Sequence, residues 1–203
     1  MLAFAAQAFL TMFVIVDPPG LAPIFISVVG DRSPDIQRHV ARKAVVISAV
    51  VLAVFAAAGT ALFDFLGVSL EAFSIAGGIL LFKIAVDMVL AQRHRQTAEE
   101  EEEAHTRDDV SVFPLAIPLI TGPGALATIL VLVGQAGPDP ERLGLLAAAS
   151  AAVLLLAYTS LRLASIVSKF LGQTGINVVT RILGLILAAL AVQYVADGVL
   201  ALI

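Results

Sequence analysis

The feature that most restricts this chain is the recurrence of apolar stretches long enough to cross a lipid bilayer. A transmembrane helix needs about 20 consecutive, mostly apolar residues, and six such stretches run roughly over 3–29, 40–63, 69–91, 110–134, 143–168 and 176–202. The 203-residue chain is 60% hydrophobic and only 14% charged, whereas ordinary soluble domains are about a quarter charged and about half apolar. A soluble globule of this size would have to expose the excess, which a bilayer accepts on every outward face. A soluble enzyme is thereby excluded, and the net charge of -4 offers no basic excess to follow a nucleic-acid backbone. Cysteine is absent, which rules out disulfides, iron–sulfur clusters and thiolate zinc sites. The opening MLAFAAQAFLTMFVIV lacks the positive segment and small-residue cleavage site of a secretory signal, so it reads as a mature span.

Charged residues gather between the apolar stretches, at Asp31 to Lys43, Arg93 to Asp109 and Asp139 to Arg142. The longest connection holds the run Glu99 to Glu103 and cannot bury a core of its own, so residues 92–109 read as a solvated acidic linker on the cytoplasmic side. It separates two three-span units, 1–91 and 110–203. Lys and Arg set the orientation. Of 12 such residues, ten fall on the side of the first, third and fifth connections, Arg142 falls on the other side, and Lys83 lies within a span. The cation-rich side is expected in the cytoplasm, with both termini outside a cell (inner) membrane.

Displacing the chain by 104 residues lays VGDRSPDIQR, Val29 to Arg38, on VGQAGPDPER, Val133 to Arg142, and Pro19-Gly20 on Pro123-Gly124. A displacement of 106 lays Gly78, Leu81, Ala85, Val86 and Val89 on Gly184, Leu187, Ala191, Val192 and Val195. Each unit has an odd number of spans, so a second copy crosses the membrane in the opposite sense, the inverted-topology arrangement of several transporter folds. The expected fold is therefore an all-α membrane protein of six transmembrane helices, built as two inverted three-helix repeats.

The displacement also pairs the two segments least able to continue as helices. Asp17-Pro18-Pro19-Gly20 interrupts span 1, and Pro114, Pro118 and Thr121-Gly122-Pro123-Gly124 interrupt span 4. Proline removes a backbone donor and clashes with the preceding turn, so helices 1 and 4 are expected to be discontinuous. Asp17 and Thr121 read as N-caps of new half-helices running to about Val29 and Gly134. Non-helical backbone at that depth persists where it is buried in protein or lines a wet cavity. Half-helix N-termini near Pro19, Gly20 and Leu21, and near Gly122, Pro123, Gly124 and Ala125, would offer N–H groups and partial positive charge to a carboxylate.

A carboxylate near mid-membrane costs about 2.5–3.5 kcal/mol on insertion scales, which singles out Asp17 as a group for a substrate ammonium, a proton or Na+, alongside its role as a cap. Thr121 is its counterpart in the second repeat, as a cap or a hydroxyl ligand. Lys83 and Asp87 stand four apart on span 3 and share a helix face, where they form an interfacial pair or, on the other reading, an ion relay. Gly59, Gly77, Gly78 and Gly184 allow close helix approach. His39, His94 and His105 lie in or beside the connections, no zinc-ligand spacing falls on a span, and no Ser/His/Asp set or phosphate loop occurs, so no catalytic residue, metal or cofactor is expected.

FVIVDPPGLAPIF (Phe13 to Phe25), AGGILLFKIAVDM (Ala76 to Met88) and VFPLAIPLITGPGALATIL (Val112 to Leu130) resemble the three hallmark segments of the MarC family of six-span membrane proteins. That group also contains the small neutral amino acid transporters called SnatA. Asp87 stands where the family usually has an acidic residue, and Lys83 is a local departure from an apolar position. The resemblance implies a multi-pass cell-membrane protein and a secondary transporter of small neutral amino acids such as Gly, Ala or Ser, working by alternating access. Coupling to Na+ or H+ is expected from the mid-membrane carboxylate. The other readings are a small-solute channel, an exporter of another metabolite, and a non-transporting scaffold subunit. The partners implied are a small-molecule substrate and the lipid bilayer, with a homo-oligomer left open.

Overall fold

In the computed structural model, which describes residues 1–30, 32–90 and 109–202, the chain is all-helical among the described residues. The acidic linker with its glutamate run, expected over 92–109, lies outside them except for Asp109. Helices α1 (Leu2–Val16) and α2 (Pro18–Val29) meet at Asp17, followed by α3 (Pro34–Leu66) and α4 (Leu70–Val89). A wide-turned segment, Ser111–Ile120, leads into α5 (Pro123–Ala136), then α6 (Pro140–Arg162) and α7 (Ala164–Leu202). Five helical stretches are long and apolar enough to cross a membrane, and a sixth is made if Ser111–Ile120 and α5, bent by 53° at their junction, count as one.

Proline and glycine set most boundaries. Pro18, Pro34, Pro123 and Pro140 each open a helix, where the missing N–H is no loss. Asp139 caps α6 by accepting from the N–H groups of Glu141 at 2.9 Å and Arg142 at 3.4 Å, and Ser69 caps α4 through Ala72 at 3.2 Å. The half-helices α2 and α5 close alike, on Gly30 (φ 61°, ψ -146°) and Gly137 (φ 62°, ψ -153°), a conformation that a Cβ would strain.

Three boundaries differ from the hydropathy reading. Span 5 was expected to reach residue 168 and span 6 to begin at 176, but α6 ends at Arg162 and α7 starts at Ala164, with a kink at Gly172 (φ 61°). Hydropathy registers the polarity of Lys169, not the backbone, and the backbone turns at Leu163 and Gly172 instead. The start of α3 at Pro34 likewise precedes the apolar run, by nearly two turns, because its first turns are amphipathic rather than apolar.

The α1–α2 span occupies the centre: 61% of its most apolar window is buried, against 28–33% for α3, α4, α6 and α7. Its buried Met12, Val14, Val16 and Leu21 join Leu115, Ile120 and Leu132 from the fourth span in one core. The closest helix contact joins α4 and α7. A Cβ on Gly78 would stand 2.8 Å from the Ala191 carbonyl, and one on Gly184 would stand 3.1 Å from the Ala85 carbonyl. Bare glycine backbone lets the helices approach to that distance. The two contacts exchange under the displacement of 106, since Gly78 pairs with Ala191 as Gly184 pairs with Ala85.

Candidate functional site

The centre of the molecule is the hinge at Asp17. Pro18 disfavours a right-handed helical residue before it, and Asp17 adopts the left-handed conformation (φ 49°, ψ 62°), the one described non-glycine residue to do so. Aspartate tolerates that region better than most residues. Its N–H closes α1 on the Phe13 carbonyl at 2.9 Å, and its own carbonyl accepts the Leu21 N–H at 3.2 Å. The side chain folds over the first turn of α2, where Oδ1 accepts the Gly20 N–H at 3.3 Å. A Cβ on Gly20 would lie 2.3 Å from Oδ2, so glycine is required for that fold-over. Asp17 is 1% exposed, and its side chain sits at the positive end of the α2 dipole.

Two hydroxyls from the second half of the chain reach this hinge. Thr180 of α7 donates to Asp17 Oδ2 at 3.0 Å, and Ser160 of α6 donates to the Pro18 carbonyl at 2.5 Å. Sequence reasoning singled out neither. A lone Ser or Thr in an apolar helix usually bonds back to its own turn, as Thr11, Ser27, Ser48 and Thr159 do here.

The second break lies beside the first. A Cβ on Gly124 would fall 2.8 Å from Cδ1 of Ile15, two residues before the hinge, and 2.6 Å from Cδ1 of Ile84 on α4. Thr121, expected as the N-cap of the half-helix, faces backward. Its N–H and its hydroxyl both donate to the Ala116 carbonyl, at 2.9 and 2.7 Å. Thr121 thus reaches a carbonyl five residues back, at the end of the wide-turned segment that contains Pro114 and Pro118. The cap position falls on Gly122, whose carbonyl accepts the Leu126 N–H at 3.1 Å, and no side chain caps α5. A Cβ on Gly122 would meet the Pro118 carbonyl at 2.4 Å. Pro123 is exposed, while Gly124 and Ala125 are buried.

The two half-helix N-termini are therefore unlike. At the start of α2 the Gly20 N–H bonds the Asp17 side chain and the Leu21 N–H bonds the Asp17 carbonyl. At Gly124 and Ala125 the start of α5 has no side-chain acceptor. One half-helix start therefore carries a buried carboxylate and the Thr180 hydroxyl, while the other, a helix start that favours negative charge, packs at Gly124 against Ile15 of α1.

Lys83 and Asp87 bond to each other at 2.7 Å on α4, with Lys83 64% exposed and Asp87 16%. Their polar contact closes within α4 and does not reach the hinge. On the N-terminal half of α1, Gln7 Nε2 donates to Gln135 Oε1 of α5 at 3.4 Å, and the Thr11 hydroxyl donates to the Gln7 carbonyl at 2.8 Å. The fully buried Tyr194 hydroxyl lies against these side chains. Where the described chain resumes, Asp109 pairs with Lys43 and accepts from Ser111, and these contacts lower its carboxyl to about 2.

The model of the MarC family, integral membrane proteins, matches residues 2–203. A membrane protein of Archaeoglobus fulgidus named UPF0056 is 39% identical over 202 residues, covering 97% of this chain and 92% of its own. Its namesake in Aquifex aeolicus is 38% identical over 197 residues, covering 95% and 90%. The UPF0056 membrane protein YvbG of Bacillus subtilis is 35% identical over 205 residues, covering 98% and 95%. No solved structure matches. With a family match along nearly its whole length and relatives of this identity, the chain belongs to the MarC family of integral membrane proteins.

Proposed function

We propose that this protein is a secondary transporter of small neutral amino acids, coupled to H+ or Na+, in which two inverted three-span repeats rock about the Asp17 hinge. The observation that carries the reading is a buried carboxylate at the break of the first span, with the second interrupted span packed at Gly124 on Ile15, two residues before that break. An intramembrane ionisable group marks a substrate or ion pathway by default, and discontinuous helices are where transporters bind. The reciprocal Gly78–Ala191 and Gly184–Ala85 contacts and the matching ends of α2 and α5 support the inverted repeat.

In this reading the substrate carboxylate docks at the uncapped start of α5, at Gly124 and Ala125, and Asp17 takes the ammonium or the coupling ion. Both termini face out of the cell membrane, following the distribution of Lys and Arg. Counterflow of radiolabelled glycine and alanine into proteoliposomes tests the proposal. Exchange above empty liposomes that Asp17→Asn abolishes is expected. No exchange refutes the substrate class, and exchange indifferent to Asp17→Asn removes the carboxylate from the mechanism.

A further inference from the structure

Where the break between α6 and α7 meets the end of α2, the protein has a cavity of 120 Å³. Phe25, Ile26 and Val29 of α2 form its apolar wall, and Arg162, Gln37 and Ser165 its polar one. Helix α6 has 23 residues, about 34 Å at a rise of about 1.5 Å each. Crossing a hydrocarbon core of about 30 Å, it brings its last residue, Arg162, to the depth of the lipid headgroups. The arginine at its other end is engaged: Arg142 donates to the Gln135 carbonyl at 3.3 Å and pairs with Asp139 at 3.5 Å. Arg162 is half-buried and pairs with none of the described residues. Gln37 donates its amide N–H groups to the carbonyls of Gly30 at 3.3 Å and Arg32 at 2.9 Å, which ties the first turn of α3 to the end of α2 beside the cavity.

A guanidinium without a partner offers a planar fork of N–H donors that fits the oxygens of a phosphate. The cavity has the space of about four waters at about 30 Å³ each, room for one phosphate group and not for an acyl chain. The Ser165 hydroxyl adds a donor without adding charge. The stretch 31–42 beside it carries Arg32, Arg38 and Arg42 against Asp31 and Asp35, a net positive charge that favours an anion. Apolar side chains also surround the site, since Ile26 of its wall and Leu163 and Ile166, next in sequence to wall residues, are exposed. A polar cavity at headgroup depth with exposed apolar side chains around it suits an amphiphile better than a free ion. We infer that the Arg162 cavity binds the phosphodiester of an anionic phospholipid. In the orientation proposed above, that lipid belongs to the cytoplasmic leaflet. A phosphate held there joins the α6–α7 break to the end of α2, the half-helix that starts at the Asp17 hinge, so the bound lipid stabilises this packing. The inference does not depend on the solute transported.

The experiment titrates the full chain, in a neutral detergent, with phosphatidylglycerol, with phosphatidylcholine and with inorganic phosphate. Bound lipid is counted by native mass spectrometry, and the unfolding midpoint is followed by circular dichroism. Phosphatidylglycerol should bind saturably, in preference to phosphatidylcholine, and raise the midpoint of wild type. Arg162→Gln should weaken that binding by roughly tenfold to a hundredfold, the loss of a charge-assisted bond, and remove the rise in midpoint. Lys169→Gln deletes an exposed cation outside the cavity and should leave the affinity unchanged. Equal weakening in the two variants overturns the proposal, because it marks diffuse attraction to the positive face and not a site. Ser165→Glu sets a carboxylate on the cavity at an exposed position, where a substitution is tolerated, and should weaken binding as Arg162→Gln does. If Arg162→Gln does not fold, Ser165→Glu decides, and an affinity that it leaves unchanged overturns the proposal. Equal binding of the two lipids overturns it as well. Inorganic phosphate that displaces phosphatidylglycerol at millimolar concentration, or raises the midpoint as much, assigns the cavity to a free anion and overturns the lipid assignment.

Discussion

Substituting Gly78 by alanine inserts one methyl group where α4 and α7 touch, and the outcome follows from the geometry. The new Cβ would lie 2.8 Å from the Ala191 carbonyl, 3.1 Å from the Val195 nitrogen and 2.7 Å from Val195 Cγ2. Two of these atoms are backbone and cannot rotate away, so α7 itself must shift by a few tenths of an ångström. Overpacking of this kind costs about 1–3 kcal/mol, offset by about 0.5–1 kcal/mol because alanine is the better helix former. A net loss of about 1–2 kcal/mol lowers the unfolding midpoint of a chain this long by about 2–8 °C. Gly184→Ala, meeting the Ala85 carbonyl at 3.1 Å and Met88 Cβ at 2.9 Å, should behave alike and slightly more mildly. Gly144 on α6 has no neighbour within 4 Å of its would-be Cβ, so Gly144→Ala gains the propensity alone and raises the midpoint. The assay is thermal unfolding in detergent followed by far-ultraviolet circular dichroism at one scan rate. Midpoints that rise in Gly78→Ala and Gly184→Ala as they do in Gly144→Ala would refute the close contact. Effects of opposite sign at Gly78 and Gly184 would refute its two-fold character.

Other perturbations follow from the same structure. Ser160→Ala removes the hydroxyl bond to the Pro18 carbonyl, which the first turn of α2 also engages, and should cost about 0.5–1.5 kcal/mol, read as a lower unfolding midpoint; an unchanged midpoint would show that α6 does not hold the hinge. Gly20→Ala places a Cβ 2.3 Å from Asp17 Oδ2, so the carboxylate must leave its position, and glycine exchange should fall on the order of tenfold to a hundredfold while the helical circular dichroism is kept. Asp109, lowered from 3.8 to about 2 chiefly by Lys43, contributes stability that is fully present above about pH 4 and lost as the pH falls to about 2. Both side chains are 43% exposed, which limits the contribution to about 0–1 kcal/mol. The midpoint difference between wild type and Asp109→Asn should accordingly close over that interval.

Much of this architecture is legible in the residues because it is written in local chemistry. Asp17-Pro18-Pro19-Gly20 announces a helix end, a cap and a new first turn in four consecutive positions, and the backbone follows it. Gly78 and Gly184 emerged from the displacement of 106, and close backbone contact is what they serve. The misread residues depend on partners distant in the chain or on backbone geometry. Thr121 has the side chain of an N-cap, but the wide turn through Pro114 and Pro118 leaves the Ala116 carbonyl within reach, and that acceptor wins. Ser160 and Thr180 carry no periodic or spacing signal, since each is one hydroxyl in an apolar helix, paired with a hinge 142 and 163 residues away. The end of α6 at Arg162 escaped because hydropathy changes at Lys169 while the helix breaks earlier.

The account stands on the claim that the buried junction of the two interrupted spans is reached from both faces of the membrane. The chain contains no cysteine, so Thr121→Cys provides a single thiol at that junction, at a side chain 1% exposed. Modification by a membrane-impermeant maleimide is measured in vesicles of each orientation, with and without saturating glycine. Labelling from both faces, slowed by glycine, is the predicted result. Labelling confined to one face or absent from both, unaffected by glycine, would contradict the account.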